Sequence, residues 1–183
     1  MSRLLVERAQ AGDRDAYEQL ARSVAGHLFL VASRILRDPD AAEDAVQATL
    51  VAIWRDLPSL RDPDRFESWT YRLVVRQCRN VGRRERRMGI QVVDLSEDVR
   101  SGVDHAGDIA LHDELGRAFE RLSTDHRTVV VLHHLVGLPI GEIAAILGVP
   151  YGTVGSRLHH AMRAMRAALE AGDRAPLHEG QPA

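Results

Sequence analysis

The sequence predicts an all-α chain: two small helical domains joined by a flexible acidic linker, the second domain carrying a helix-turn-helix. Three observations predict it. The 183 residues are 45% hydrophobic but only 4% aromatic, a balance that suits compact helix packing better than an aromatic-rich sheet. Apolar residues recur at intervals of three and four rather than two, which places them on one side of successive helices. Asp-Pro pairs and isolated glycines fall at helix-length intervals, where helices start and stop.

Asp13 is placed to cap a helix whose apolar positions Tyr17, Leu20, Val24, Leu28, Val31 and Ile35 run until Asp38-Pro39. The same pair opens the next helix, with Asp38 as N-cap and Pro39 in the first turn. Its buried stripe is expected to be Ala42, Ala45, Val46, Thr49, Leu50, Ile53 and Trp54, ending near Leu57-Pro58. Asp62-Pro63 repeats the device. The third helix should turn Phe66, Trp69, Leu73, Val74 and Val81 inward, while Arg72, Arg76, Arg79 and Arg83 fall within about 60° of one another on the far side. That makes a basic ridge.

Periodicity lapses over MGIQVVDLSEDVRSGVDHAGD, so residues 88–108 are expected to form a linker between a domain at 1–87 and another at 109–171. It returns with Leu111, Leu115, Ala118, Phe119 and Leu122. Ser123 or Thr124 can cap TDHRTVVVLHHLVG, which Gly137 closes. Pro139 then opens PIGEIAAILG, and Gly148 ends it before a longer helix whose stripe is Val154, Leu158, Met162 or Ala161, Met165 and Leu169. Two such helices across a small glycine-containing turn have helix-turn-helix organisation. The tail, 172–183, is expected to be disordered.

Charge is uneven although the net value is only −2. Thr70 to Arg87 holds seven arginines against Glu85; Asp94 to Glu114 holds seven acids against Arg100; Tyr151 to Arg166 adds three arginines and no acid. Separated basic blocks draw a polyanion, and nucleic acid is the natural one. All 24 basic residues are arginine. The absence of lysine removes P-loop nucleotide binding and Schiff-base chemistry. With no convergent acid, base or nucleophile, no catalytic residue and no cofactor are expected, and the chain reads as a non-enzyme. His133-His134 and His159-His160 are adjacent pairs whose side chains diverge by about 100° on a helix, so no metal site is expected. Cys78 alone permits no internal disulfide and reads as core filler. No apolar run approaches the roughly 18–20 residues of a membrane span, and no signal-peptide core opens the chain, so membrane insertion is not expected and the cytoplasm is the expected location.

A recognition helix presents its N-terminal residues to base edges while flanking cations hold phosphates. Tyr151, Thr153, Ser156, Arg157, His160 and Arg163 are the candidates for that face, with Arg157 able to pair bidentately with guanine. On the first domain the candidates are Arg72, Arg76, Arg79 and Arg83, with Tyr71 as the freer aromatic for an unstacked base.

The stretches DPDAAEDAVQATLVAIWRDL, DRFESWTYRLVVRQCRNVGRRERR and GLPIGEIAAILGVPYGTVGSRLHHAMRAMR resemble the region 2 and region 4 motifs of the extracytoplasmic-function (ECF) sigma factors. The order and spacing agree from about Leu4 to Leu169. The resemblance implies a dissociable subunit of bacterial core RNA polymerase. Region 2 would recognise the −10 element through the first arginine set, and region 4 the −35 element through the second. The loop Ser59 to Arg65, with Arg61 among its −10 contacts, would capture an extruded base, and the acidic linker would thread through the polymerase channels. Asp40, Glu43, Asp44 and Gln47 would form the face that meets the polymerase β′ clamp helices. Leu50 and Trp54 are placed beside that face but in the core. The resemblance also implies an anti-sigma factor as a partner, besides the β and β′ subunits and promoter DNA.

This chain departs from the family pattern at Ala48, Leu50, Thr70, Gly155 and His160. The last two stand where basic residues are common, which implies a smaller electrostatic share of −35 binding. The alternative from the residues alone is a stand-alone helix-turn-helix regulator whose N-terminal bundle binds a ligand or a protein.

Overall fold

A computed structural model describes residues 2–87 and 115–172. The expected linker at 88–108, its acidic run, and the tail beyond Gly172 lie outside the described residues. The first unit comprises α1 (Arg3–Gln10), α2 (Arg14–Leu36), α3 (Pro39–Asp56) and α4 (Phe66–Arg87). Short 3₁₀ turns at Leu57–Ser59 and Pro63–Arg65 join α3 to α4. In the second unit, residues 115–120 are helical (α5), followed by α6 (Thr124–Val130), α7 (Ile140–Leu147) and α8 (Tyr151–Gly172). The π-helical turn Val131–Leu135 continues α6. No strand occurs among the described residues.

The punctuation works as local chemistry dictates. The Asp13 carboxylate accepts from the Ala16 N–H at 3.0 Å. This bond, with Arg8 beside it, holds the acid below its ordinary range. Asp38 accepts from the Asp40 and Ala41 amides, Asp62 from Asp64, and Ser123 from His126. Each satisfies a donor that the first helical turn leaves unpaired. Gly137 (φ 83°) and Gly148 (φ 65°) close their helices in the left-handed region, which glycine enters without strain. α1 has no such cap, since Ser2 makes no side-chain bond to it, and the periodicity argument passed over it.

α2, α3 and α4 bury Leu20, Leu28, Ile35, Ile53, Phe66 and Val74 among them, and the apolar cluster continues into Val129, Leu132, Ile143 and Ile146 of the second unit. Among the described residues, Ala118, Leu122, Val130, Ala161 and Met165 form a small core private to the second unit. The two units therefore share a packed seam. α4 lies against α7, and α2 against α6. Gly82 on α4 sits so close to Thr124 that a Cβ there would lie 3.4 Å from its hydroxyl.

Arg127, 3% exposed, crosses the seam. Its Nε donates to the Ile35 carbonyl at 2.7 Å, and Nη1 donates to Leu122 O at 2.5 Å and Glu120 O at 3.3 Å. Arg37, the left-handed C-cap of α2 (φ 64°), reaches the Glu120 carbonyl at 2.6 Å and its carboxylate at 3.2 Å. Both arginines place positive charge where helix C-terminal carbonyls carry partial negative charge.

Two placements differ from the sequence expectation, and a third settles an alternative it left open. Trp54 is 45% exposed and Leu50 only half-buried. Their positions fall at the edge of the α3 stripe, where Trp54 packs its edge on Tyr17 with ring centroids 4.7 Å apart. Trp69 and Val81 are also half-buried rather than fully inward. On α8 it is Ala161 that is fully buried, while Met162 is 38% exposed. Cys78 lies in the core as expected, and burial pushes its thiol up to about 12.

Candidate nucleic-acid interface

α4 has a wider apolar arc than a helix packed on one side needs. Leu73, Val74 and Cys78 are buried, and Val75 on the adjoining flank is buried as well. The arginines are left a strip about 60° wide. Arg72, Arg76 and Arg83 are exposed and Arg79 is partly covered, so the structure brings the expected ridge together. Arg83 is steadied by Asn80 Oδ1 at 2.7 Å. Arg61 is exposed on the loop before α4.

Tyr71 is not on this surface. It is 3% exposed, its ring meets His27 of α2 edge-on at 5.8 Å, and its hydroxyl approaches Glu67 at 3.3 Å. Burial, with the Glu67 charge beside it, pushes the phenol up to about 12. The expectation of a free aromatic for an unstacked base is therefore corrected: Tyr71 sits on the apolar arc, about 100° from Arg72.

The ridge faces the helix-turn-helix across a cleft of about 590 Å³ lined by Arg72, Arg76, Arg79, Arg83, Asp125 and Ile146. Arg72 donates to Ala145 O and Arg79 to Leu147 O, each at 3.2 Å. These carbonyls lie in the last turn of α7, where no intrahelical N–H reaches them. Arg79 also lies 3.6 Å from the Asp125 carboxylate.

On α8, Val154, Leu158, Ala161 and Met165 anchor the inner side. Tyr151 is 64% exposed at the helix start, and Ser156, His160 and Arg163 are exposed. Thr153 is half-buried, and its carbonyl accepts from the Ser156 hydroxyl at 3.0 Å. A side chain at Gly155 would meet open space, so the missing basic residue there reflects no steric limit.

Arg157 is the second correction. It does not stand on the outer face: its side chain is 23% exposed and Nη2 donates to Asp125 at 2.8 Å. Position 157 lies about 70° from the centre of the apolar stripe, on the flank that turns toward α6. Asp125 therefore takes a cation from each of the two basic helices, and sequence reasoning singled out neither Asp125 nor Arg127.

A separate surface lies on α3. Asp40, Glu43, Asp44 and Gln47 are all exposed, and Val51 (66% exposed) and Trp54 extend the same strip. All six positions fall within an arc of about 100°. Val51 was passed over, although its spacing of four from Gln47 was the available signal. Among the described residues no group of three histidine, cysteine or carboxylate side chains is placed to hold a metal. None of their helices is long and apolar enough to cross a membrane.

Comparison with known proteins follows this division. Residues 17–88 match the family model for sigma-70 region 2, and residues 112–165 that for sigma-70 region 4. The ECF RNA polymerase sigma-E factor of Salmonella typhi is 32% identical over 175 residues, covering 88% of this chain and 91% of that protein. Among solved structures, CnrH in complex with the cytosolic domain of CnrY aligns with a TM-score of 0.63 at 28% identity, over 92% of this chain and 97% of that one. The sigma factor RpoE in complex with the anti-sigma factor NepR from Bartonella quintana aligns with a TM-score of 0.64 at 25% identity, over 84% and 96%.

Proposed function

Because this chain belongs to the ECF sigma factors, we propose that its two units divide promoter recognition between them while the α3 face docks on core RNA polymerase. Residues 1–87 serve the −10 element through Arg61, Arg72, Arg76, Arg79 and Arg83. Residues 109–171 serve the −35 element, with Tyr151, Thr153, Ser156 and His160 toward the groove and Arg163 toward phosphate. Arg157 joins them when its contact with Asp125 opens. The observation that carries this reading is the pairing, in one chain, of a four-arginine strip on α4 with a helix-turn-helix whose second helix is cationic.

Asp40, Glu43, Asp44 and Gln47 offer carboxylates and an amide to the β′ clamp, and Val51 and Trp54 add apolar area beside them. Asp40 in the first turn, with Glu43 and Asp44 just beyond it, also suits the positive end of α3, and one placement serves both roles. The β subunit is the further contact of the assembled enzyme, and the cytoplasm its place of work. An anti-sigma factor belongs among the partners, as RpoE of Bartonella quintana is held by NepR.

The test is reconstitution: the chain added to core polymerase should start transcription at defined promoters and co-purify with β and β′. Initiation at no defined site would overturn the reading. A sharper expectation concerns Arg157→Ala. It should lower −35 duplex affinity of the holoenzyme by about tenfold, within the 1–3 kcal/mol of a bidentate base contact, with polymerase binding unchanged. Equal loss of both would remove Arg157 from that role.

A further inference from the structure

The cleft between α4 and α7 has the size and the charge of a small-molecule site. Its volume of about 590 Å³ falls within the range of about 300–1,000 Å³ typical of such sites. Four arginines line it against one carboxylate, that of Asp125. Arg157, from outside the lining, meets that carboxylate at 2.8 Å, whereas Arg79 stands 3.6 Å from it. The lining therefore keeps an excess of positive charge.

Its donors are not used up. Arg72 and Arg79 each give an N–H to a carbonyl in the last turn of α7, and Arg83 gives one to Asn80. A guanidinium has more N–H groups than these contacts use, and its planar fork matches phosphate oxygens. From Arg72 to Arg83 the strip runs about 16 Å along α4. One phosphate reaches only part of such a strip, whereas a chain of linked phosphates can follow it. Val75 and Ile146 add an apolar part to the same cleft, and residues 145–148 wall the side opposite the strip, which keeps out a duplex.

We infer that this cleft is a binding site for a small polyphosphate anion, a chain of linked phosphates with or without a nucleoside, held by Arg72, Arg76, Arg79 and Arg83 and enclosed by the end of α7. Binding itself needs no promoter role for these residues. Its consequence for transcription rests on the proposed function, because the occupant takes the donors assigned there to the −10 element.

Calorimetric titration of the full chain tests the site at about 0.15 M salt, where long-range charge effects are damped. The probes are sodium tripolyphosphate, adenosine triphosphate without magnesium, and orthophosphate. Tripolyphosphate should saturate at a single equivalent and bind at least about tenfold more tightly than orthophosphate, since each further charge-assisted contact adds to the first. Ala145 is exposed, lines the cleft and offers its carbonyl to Arg72. Ala145→Glu should therefore set a carboxylate beside the strip and weaken tripolyphosphate by about tenfold or more. Ala48→Glu makes the same charge change at an exposed position of α3, outside the lining, and should leave affinity within about twofold. In a second pair, Arg76→Gln with Arg83→Gln should weaken binding more than Arg163→Gln with Arg166→Gln, which removes equal charge from exposed positions of α8. That pair decides the question if Ala145→Glu does not fold.

Absence of saturable binding overturns the inference. Equal weakening within the pairs does so too, as the mark of a net-charge effect, and so does orthophosphate binding as tightly as the chain. Given a site, the two triphosphates identify its source: tighter adenosine triphosphate assigns Val75 and Ile146 to a nucleoside, and equal or weaker binding assigns the site to the inorganic chain. No DNA or polymerase is present, so the result stands apart from that of the reconstitution.

Discussion

Neutralising the α4 strip with glutamine at Arg72, Arg76, Arg79 and Arg83 together is expected to abolish promoter opening while leaving polymerase binding intact. Each phosphate contact contributes about 0.9 to the salt slope on duplex DNA and about 0.7 on single strands. Four lost contacts should therefore flatten the slope of holoenzyme binding by roughly three units, and affinity near physiological salt should fall by about two to three orders of magnitude. Glutamine removes the charge and keeps the helix preference of arginine. The strip carries little of the core: Arg72, Arg76 and Arg83 are exposed and Arg79 is partly so. Helix content should therefore be preserved by circular dichroism. An unchanged slope would mean that these arginines do not touch the promoter.

Arg127→Met is expected to destabilise the chain by about 3 kcal/mol in urea unfolding. The guanidinium serves Ile35 O of α2 and Leu122 O at once, and a hydrogen bond from a charged donor is worth about 1.5–3 kcal/mol. Methionine fills much of the volume and removes the cost of burying a charge, which keeps the loss below the sum of the bonds. Arg127→Lys should recover only part of it, because a single ammonium cannot span both carbonyls as the planar fork does. A change within about 0.5 kcal/mol for Arg127→Met would assign the bridge no net role in stability.

The helices of this fold were legible wherever a cap or breaker stood at the boundary. Asp13, Asp38-Pro39, Ser123, Gly137 and Gly148 each mark an end that the structure reproduces. Periodicity also placed the α4 arginines on one strip, which follows from 100° per residue, whereas the α3 acids were singled out by the family resemblance. What periodicity does not contain is the partner of each face. Tyr71 and Arg157 lie at the margins of apolar stripes, and their environment depends on which helix packs there. Tyr71 meets α2, and Arg157 meets Asp125 of α6, which is 32 residues away in sequence. Arg127 and Asp125 looked like ordinary charges in TDHRTVV. Their roles depend on contacts that join α6 to α2, α4 and α8.

The exposed indole on α3 makes the molecule its own optical reporter. Trp54 stands at the rim of the acidic strip with one flank on Tyr17, and the other tryptophan, Trp69, is half-buried beside Phe66. A macromolecule covering that rim strips water from the Trp54 ring, and its emission moves to shorter wavelength. Docking can thus be watched in unlabelled protein, at the place where it is expected to occur.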